Sequence, residues 1–252
     1  MKTLLMMTTA GALALSALAL PAQATTVFAT TTTLAPGPNF TWTNNGAGDT
    51  GSGGTLTGTG STAFSFENSG PILNLLTFLP ANFTFTATGV NIPATFSGAP
   101  NDLWTQTGLN GSFSYTFSGT TGTTIGGITL TNGENLLSGT FNNAWIQGAG
   151  ASGSTNLAVG NGGVMHLTSA VDPAVATGIN PEFAYTLLAV TPNFGATSPT
   201  AALRSFTAKG DGEFSLASVP VPEAATWSLM IMGFGGVGAI LRQKRRQAAL
   251  PA

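Results

Sequence analysis

Phe113-Ser114-Tyr115-Thr116-Phe117 alternates aromatic rings with hydroxyls residue by residue, and Phe83-Thr84-Phe85-Thr86 does the same earlier in the chain. Successive side chains of an extended strand point to opposite faces, so each stretch turns its rings to one side and its hydroxyls to the other. A helix would scatter the same rings around its axis. The pattern recurs in Ala63-Phe64-Ser65-Phe66 and over residues 125–130, 136–141, 164–167, 183–188 and 214–216. Asn44-Asn45-Gly46, Asn132-Gly133 and Gly210-Asp211-Gly212 fall between such runs and carry turn chemistry. The expected fold is therefore all-β, an antiparallel β-sandwich or jelly-roll-like domain. Two stretches depart from the pattern. Residues 72–79 are apolar without alternation, which suits a buried strand or a short helix ended by Pro80; residues 43–61 are rich in Gly and Thr and read as an exposed loop or weak edge strand.

Charge is scarce, at 6% of 252 residues, and unevenly placed. Between residues 25 and 218 only Arg204 and Lys209 are basic, against Asp49, Glu67, Asp102, Glu134, Asp172, Glu182, Asp211 and Glu213, a net charge of about −6. Such a region has no basic face to neutralise phosphates, so nucleic acid is not an expected partner. The absence of cysteine excludes disulfides, thiolate metal sites and cysteine nucleophiles. Low charge with abundant Gly, Ser, Thr and Asn would suggest disorder, but the polar residues alternate with Phe, Leu, Ile and Val instead of forming tracts.

The two ends follow different rules. Lys2 precedes an uncharged, mostly apolar run over residues 4–20, Pro21 breaks it, and Ala22-Gln23-Ala24 follows. A positive start, an apolar helix and small residues at the cut form the layout of a secretory signal. Cleavage after Ala24 by signal peptidase makes Thr25 the new N-terminus. At the other end Pro220 and Pro222 lead into an uncharged stretch over residues 225–241, followed by Arg242-Gln243-Lys244-Arg245-Arg246. As a helix this stretch is about 26 Å long, near the lower limit for crossing a bilayer. Trp227 suits the outer interface, and Arg242, Lys244, Arg245 and Arg246 suit the cytoplasmic one. The expected organisation is a signal peptide over 1–24, a β-rich passenger over 25–218 held outside the cytoplasm, and a C-terminal sorting or anchoring segment over 219–252 with one transmembrane helix.

Candidate chemistry within the passenger is sparse. The single histidine, His166, shares a strand face with Val164 and Thr168, opposite Met165 and Leu167, and has no nucleophile-elbow motif to serve. The acids are scattered, so no carboxylate pair is evident. Lys209-Gly210-Asp211-Gly212-Glu213 offers oxygens but lacks the spaced acids of a calcium loop, and reads as a hairpin turn. Trp42, Trp104 and Trp145 are candidates for a sugar-stacking platform or for core packing. Gly233-Phe234-Gly235-Gly236-Val237-Gly238 satisfies a dinucleotide-binding pattern, yet too few residues follow to complete that unit, and its glycines fall within the apolar stretch. No catalytic residue, metal site or cofactor is expected.

Pro222, Glu223 and Trp227, the Gly-rich apolar stretch through Met230-Ile231-Met232-Gly233-Phe234-Gly235, and the terminal Arg and Lys cluster together resemble the PEP-CTERM family of sorting signals, in its Pro-Glu-Pro-x-x-Trp form. Ala224 stands where that family has its second proline. The resemblance covers about 25 residues of 252. It implies a Gram-negative host and an exosortase-like membrane enzyme that cuts near the motif, with delivery to the cell surface or a biofilm matrix rich in exopolysaccharide. The functional expectation is a non-enzymatic surface or extracellular-matrix protein; the alternative is a carbohydrate-binding module acting on exported polysaccharide.

A helix of marginal length depends on its flanking charges for orientation. Replacing Arg242, Lys244, Arg245 and Arg246 together with Ser is expected to misplace the C-terminal segment. Protease accessibility of the tail in intact spheroplasts is the check, and an unchanged topology would contradict the reading.

Overall fold

The computed structural model describes residues 25–217, apart from 35, 90, 99–101, 151, 152 and 160–162. The signal sequence, the sorting motif, the apolar stretch and the basic tail all lie outside the described residues. Among the described residues no helix is long and apolar enough to cross a membrane.

Thirteen strands follow one another along the chain: β1 (Thr25–Thr33), β2 (Phe40–Asn44), β3 (Gly54–Phe66), β4 (Leu79–Gly89), β5 (Thr95–Phe96), β6 (Leu103–Phe117), β7 (Thr123–Ile125), β8 (Ile128–Leu130), β9 (Asn135–Ala149), β10 (Ser154–Val159), β11 (Met165–Thr168), β12 (Glu182–Thr191) and β13 (Phe206–Ala217). All pairings are antiparallel. The order β9-β10-β12-β13-β1-β3-β4-β6 returns to its start, because β6 pairs with β9 as well as with β4. The sheet is thus a closed ring of eight positions, a barrel. This corrects the expected sandwich or jelly roll: the all-β, antiparallel character stands, but one sheet curls onto itself. Register shifts supply the bending. They interrupt β6 against β9 between Gln106 and Leu109 and between Leu109 and Gly111, β12 against β13 between Leu188 and Thr191, and β1 against β13 between Val27 and Ala29. Each extra residue kinks a strand and tightens its twist, which is how a flat ladder becomes a ring.

One position of the ring is a broken strand. β1 and β2 both lie between β13 and β3, one after the other. The gap is closed by Asn39, whose Nδ2 donates to Thr33 Oγ1 at 2.9 Å and whose Oδ1 accepts from the Gly210 amide at 2.8 Å. The Thr33 amide donates to Asp211 Oδ1 at 2.7 Å. Side chains thereby replace ladder bonds that the break removes, leaving buried backbone groups paired.

The barrel interior is aromatic. Phe40, Phe83, Phe85, Phe113, Tyr115, Phe183, Tyr185 and Phe214 are buried and packed ring against ring, with centroids 5.0 Å apart in Phe83–Tyr115 and 6.5 Å apart in Phe183–Phe214. Glycines face the same interior where rings need the room. A Cβ at Gly210 would stand 2.5 Å from Phe40 Cε2, one at Gly212 2.5 Å from Tyr185 Cε1, one at Gly58 2.8 Å from Phe83 Cε1, and one at Gly54 2.4 Å from Trp42 Cζ2. This overturns two expectations. Residues 43–61 form a loop only over 45–53 and are no weak edge: β2 ends at Asn44, and β3 starts at Gly54 and is paired on both sides. Residues 209–213 are not a hairpin turn but the middle of β13. Two smaller corrections follow the same lines. Residues 125–130 are a hairpin, β7 and β8, folded at Gly126-Gly127. The 72–79 stretch is a single 3-10 turn over Leu73–Leu75 followed by the start of β4, and Pro80 lies inside that strand with its ring outward.

The outer face of β2, β3, β4, β6, β9 and β11 is a grid of uncharged polar side chains. One row runs Thr207, Thr41, Thr57, Thr86, Ser112, Thr140, His166 in direct cross-strand register; another runs Thr59, Thr84, Ser114, Ser138, Thr168. Threonine joins a β-branched carbon that favours strands to a hydroxyl that water solvates, so this face needs no charge.

A fragment spanning residues 25–218 is expected to give a β-sheet circular dichroism spectrum and a cooperative melt. In that fragment Gly210→Ala forces a methyl into Phe40 and lowers stability by about 1–3 kcal/mol, whereas Thr57→Ala on the outer grid stays within about 0.5 kcal/mol. Denaturant titration of the two variants is the measurement; equal effects would contradict the packing described.

Candidate functional site

Ala22, Ala24, Pro222, Glu223, Trp227, Arg242, Lys244, Arg245 and Arg246 lie outside the described residues. Thr25 is described: it opens β1 and is the register partner of Ala217, the last described residue. Both ends of the described chain therefore sit side by side at one end of the barrel, here the upper end. Its loops are residues 67–78, 118–134 and 169–181. The loops 45–53 and 192–205 lie at the lower end, together with residues 91–98, 102, 150 and 153.

His166 is exposed on β11 beside Val164 and Thr168, with Met165 and Leu167 turned into the core. Thr140 faces it across the ladder. Among the described residues no group of three or more His, Asp and Glu side chains could hold a metal ion. The nearest approach to an acid–hydroxyl arrangement is Asp49 with Ser205, where Asp49 Oδ1 accepts from the Ser205 amide at 3.0 Å and from its hydroxyl at 2.6 Å. Both residues are in lower loops. The Asp49 carbonyl also accepts from Thr197 Oγ1 at 2.7 Å, so the contact ties the 45–53 loop to the 192–205 loop.

The three tryptophans have different fates. Trp42 is fully buried and donates its indole N–H to the Leu203 carbonyl at 2.9 Å, which removes it as a sugar platform. Trp145 is half-buried on the outer face of β9, across from Ala158. Trp104 is half-buried at the lower rim, where Phe96, 51% exposed, packs on it at 4.8 Å between ring centroids with the planes tilted by 34°. The strand pair β5–β6 sets Phe96 and Trp104 opposite each other. Trp104 and Trp145 point to opposite faces of the barrel wall and form no joint surface.

Beside Trp104 is Arg204, held by its own amide to the Gly195 carbonyl at 2.8 Å. Its Nε is buried without a hydrogen-bond partner. Its Nη2 and Trp104 Nε1 converge, lying 3.6 and 3.4 Å from the point a Cβ at Gly195 would occupy. Neither Phe96 nor Arg204 belongs to a recognisable sequence motif. The signal that points to Arg204 is its rarity as one of two cations in residues 25–218.

A second recess lies at the upper end, a groove of about 690 Å³ lined by Pro71, Ile72, Gly127, Ile128 and Val171. It is apolar and offers few groups that could orient a ligand.

Deep in the barrel Tyr115 and Tyr185 share a hydrogen bond of 2.7 Å between hydroxyls, with Thr31 Oγ1 3.5 Å from Tyr115. Burial pushes both phenols well above their ordinary pKa of 10, and the neighbouring Tyr115 adds to the effect at Tyr185. They are a satisfied polar pair inside an aromatic core, not a reactive site open to solvent.

The chain matches no protein-family model, and no curated protein sequence and no solved structure shows significant similarity to it.

Folding raises both phenol pKa values, so the tyrosine pair leaves stability unchanged below pH 10, the ordinary value. Above it the unfolded chain ionises first, and stability falls as pH rises. The denaturation midpoint is expected to hold from pH 7 to about pH 9 and to drop beyond about pH 10. Replacing both tyrosines with Phe should flatten that drop, while Tyr115→Phe alone leaves the Tyr185 hydroxyl unpaired and costs about 1–3 kcal/mol at neutral pH. An alkaline drop that survives in the double variant would assign it elsewhere.

Proposed function

We propose that this chain is an exported bacterial envelope protein, a β-barrel passenger delivered to the cell surface or extracellular matrix through a PEP-CTERM-like C-terminal signal, and that its role there is structural. Signal peptidase and the export machinery handle its front, and an exosortase-like enzyme handles its back. The observation that supports this most is the pairing of Thr25 with Ala217. The first residue after the expected signal cleavage and the last strand residue before Pro220 are neighbours in one ladder. Removal of either terminal segment therefore takes nothing from the ring. Uncharged hydroxyl rows over much of the outer wall suit a protein that resides among hydrated polymers, since they are solvated without attracting counterions.

A second reading, carbohydrate binding, draws on one observation, the partly exposed Phe96–Trp104 ring pair at the lower rim. A partly exposed aromatic ring offers the flat apolar face on which a sugar ring packs.

The sorting reading is tested at Glu223. Pro220 and Pro222 restrict the backbone choices of the sequence ahead of Glu223, the charged feature that a membrane enzyme would read. Glu223→Ala should leave membrane insertion intact and block removal of the tail. The mass of the mature protein, compared between a host with the processing enzyme and one without, decides it. A tail retained equally in both hosts by the unaltered chain would make residues 225–241 a permanent anchor instead.

A further inference from the structure

We infer that the lower rim of the barrel binds a carboxylate-bearing sugar ring, held by the Arg204 guanidinium and the Trp104 indole N–H beside the Phe96–Trp104 ring pair. The inference rests on the sugar-binding reading and narrows it to acidic sugars.

Arg204 is poorly explained as a structural residue. It makes no ion pair or side-chain hydrogen bond among the described residues, and its Nε is buried and unpartnered. A buried donor without a partner is costly, more so on a cation, unless something arrives to accept from it. The Trp104 indole N–H is likewise not hydrogen-bonded among the described residues. Two donors without a hydrogen-bond partner among the described residues therefore converge beside Gly195.

Two glycines stand next to these donors. Trp104 Nε1 stands 3.6 Å from where a Cβ at Gly150 would sit, and 3.4 Å from the corresponding point at Gly195. Any side chain at either position would project toward the donors. At Gly195 the backbone also has φ of +150°, which side chains rarely adopt.

The donor set selects the ligand. Guanidinium and indole donate only, so the complement is rich in acceptors and carries negative charge. The planar guanidinium fork matches the two oxygens of a carboxylate. A phosphate monoester, with nearly two charges, would call for a second cation, and Lys209 is on β13 away from the 192–205 loop. The Asp49 carboxylate is occupied by Ser205, and Asp102, whose carbonyl lies 3.7 Å from the Cβ point of Gly150, forms no ion pair with Arg204 among the described residues. The exposed face of Phe96 then takes the C–H face of the ring that bears the carboxylate.

The test is calorimetric titration of the full chain in mild detergent with three probes: a linear trimer of glucuronic acid, the neutral glucose trimer of the same linkage, and a short peptide with a free C-terminal carboxylate. The uronate trimer should bind at least about tenfold more tightly than either other probe, as expected for one charge-assisted hydrogen-bonded contact, and added salt should weaken it. Arg204→Gln should remove that preference without changing the circular dichroism spectrum. Arg204→Lys, which keeps the charge but not the fork, should restore only part of it. Trp104→Phe, which keeps the stacked ring and loses the N–H, should weaken the uronate a few-fold and the neutral trimer little. Equal binding of acidic and neutral trimers would leave the sugar-binding reading standing and overturn the role given to Arg204. Binding of neither trimer would overturn both. A peptide that binds as tightly as the uronate would also overturn the inference, because the sugar ring would then contribute nothing.

Discussion

A ring of eight strands encloses a space that side chains alone can just fill. In this protein the filling is done by benzene rings, and a ring pointing inward from one strand leaves no room for a side chain on the strand beside it. Phe40 shows the trade most clearly: it lies between Gly58 and Gly210, either of which would collide with it if given a Cβ. Tyr185 stands in the same relation to Gly212, and Trp42 to Gly54. The interior is thus a mosaic of large and absent side chains. The broken strand β1/β2, the Asn39 clasp and the register shifts keep the wall closed around it.

That constraint also explains what the sequence revealed and what it hid. Alternating stretches such as 113–117 and 83–86 were legible because ring and hydroxyl differ so much in character, and both lie in long strands, β6 and β4. Gly54, Gly58, Gly210 and Gly212 misled for a physical reason. Glycine between polar residues carries the signature of a turn, and only knowledge of the ring opposite shows that it is a slot. Ring closure was hidden too. Alternation reports that a strand has one buried face, and it is the same whether that face meets a second sheet or the far side of its own. The pairing of β6 with β9 decides between them, and it depends on bulges at 107–110 that leave little trace in composition.

The site was less legible than the fold. Trp104 was visible as an aromatic of open fate, but its partners come from distant loops: Phe96 from a two-residue strand, Arg204 and Gly195 from the 192–205 loop, and Gly150 from beyond β9. No spacing in the chain could encode their convergence. His166 is the converse case. Its place on a strand surface followed directly from the alternation of Met165 and Leu167 against it. The terminal segments are read from composition and order alone, and lie outside the described residues.

The register of Thr25 with Ala217 has a consequence for timing. The ladder that closes the ring is made by the first strand and the last, and β13 also brings Phe214 to the middle of the aromatic interior. A chain that emerges N-terminus first can form the ladder from β3 to β4, and later add β6 and β9, yet every such partial sheet shows its rings to water along two open edges. Nothing but the last dozen strand residues seals it. On the proposed route across the membrane, the passenger would stay unfinished until its final strand is through, and then close in a single step.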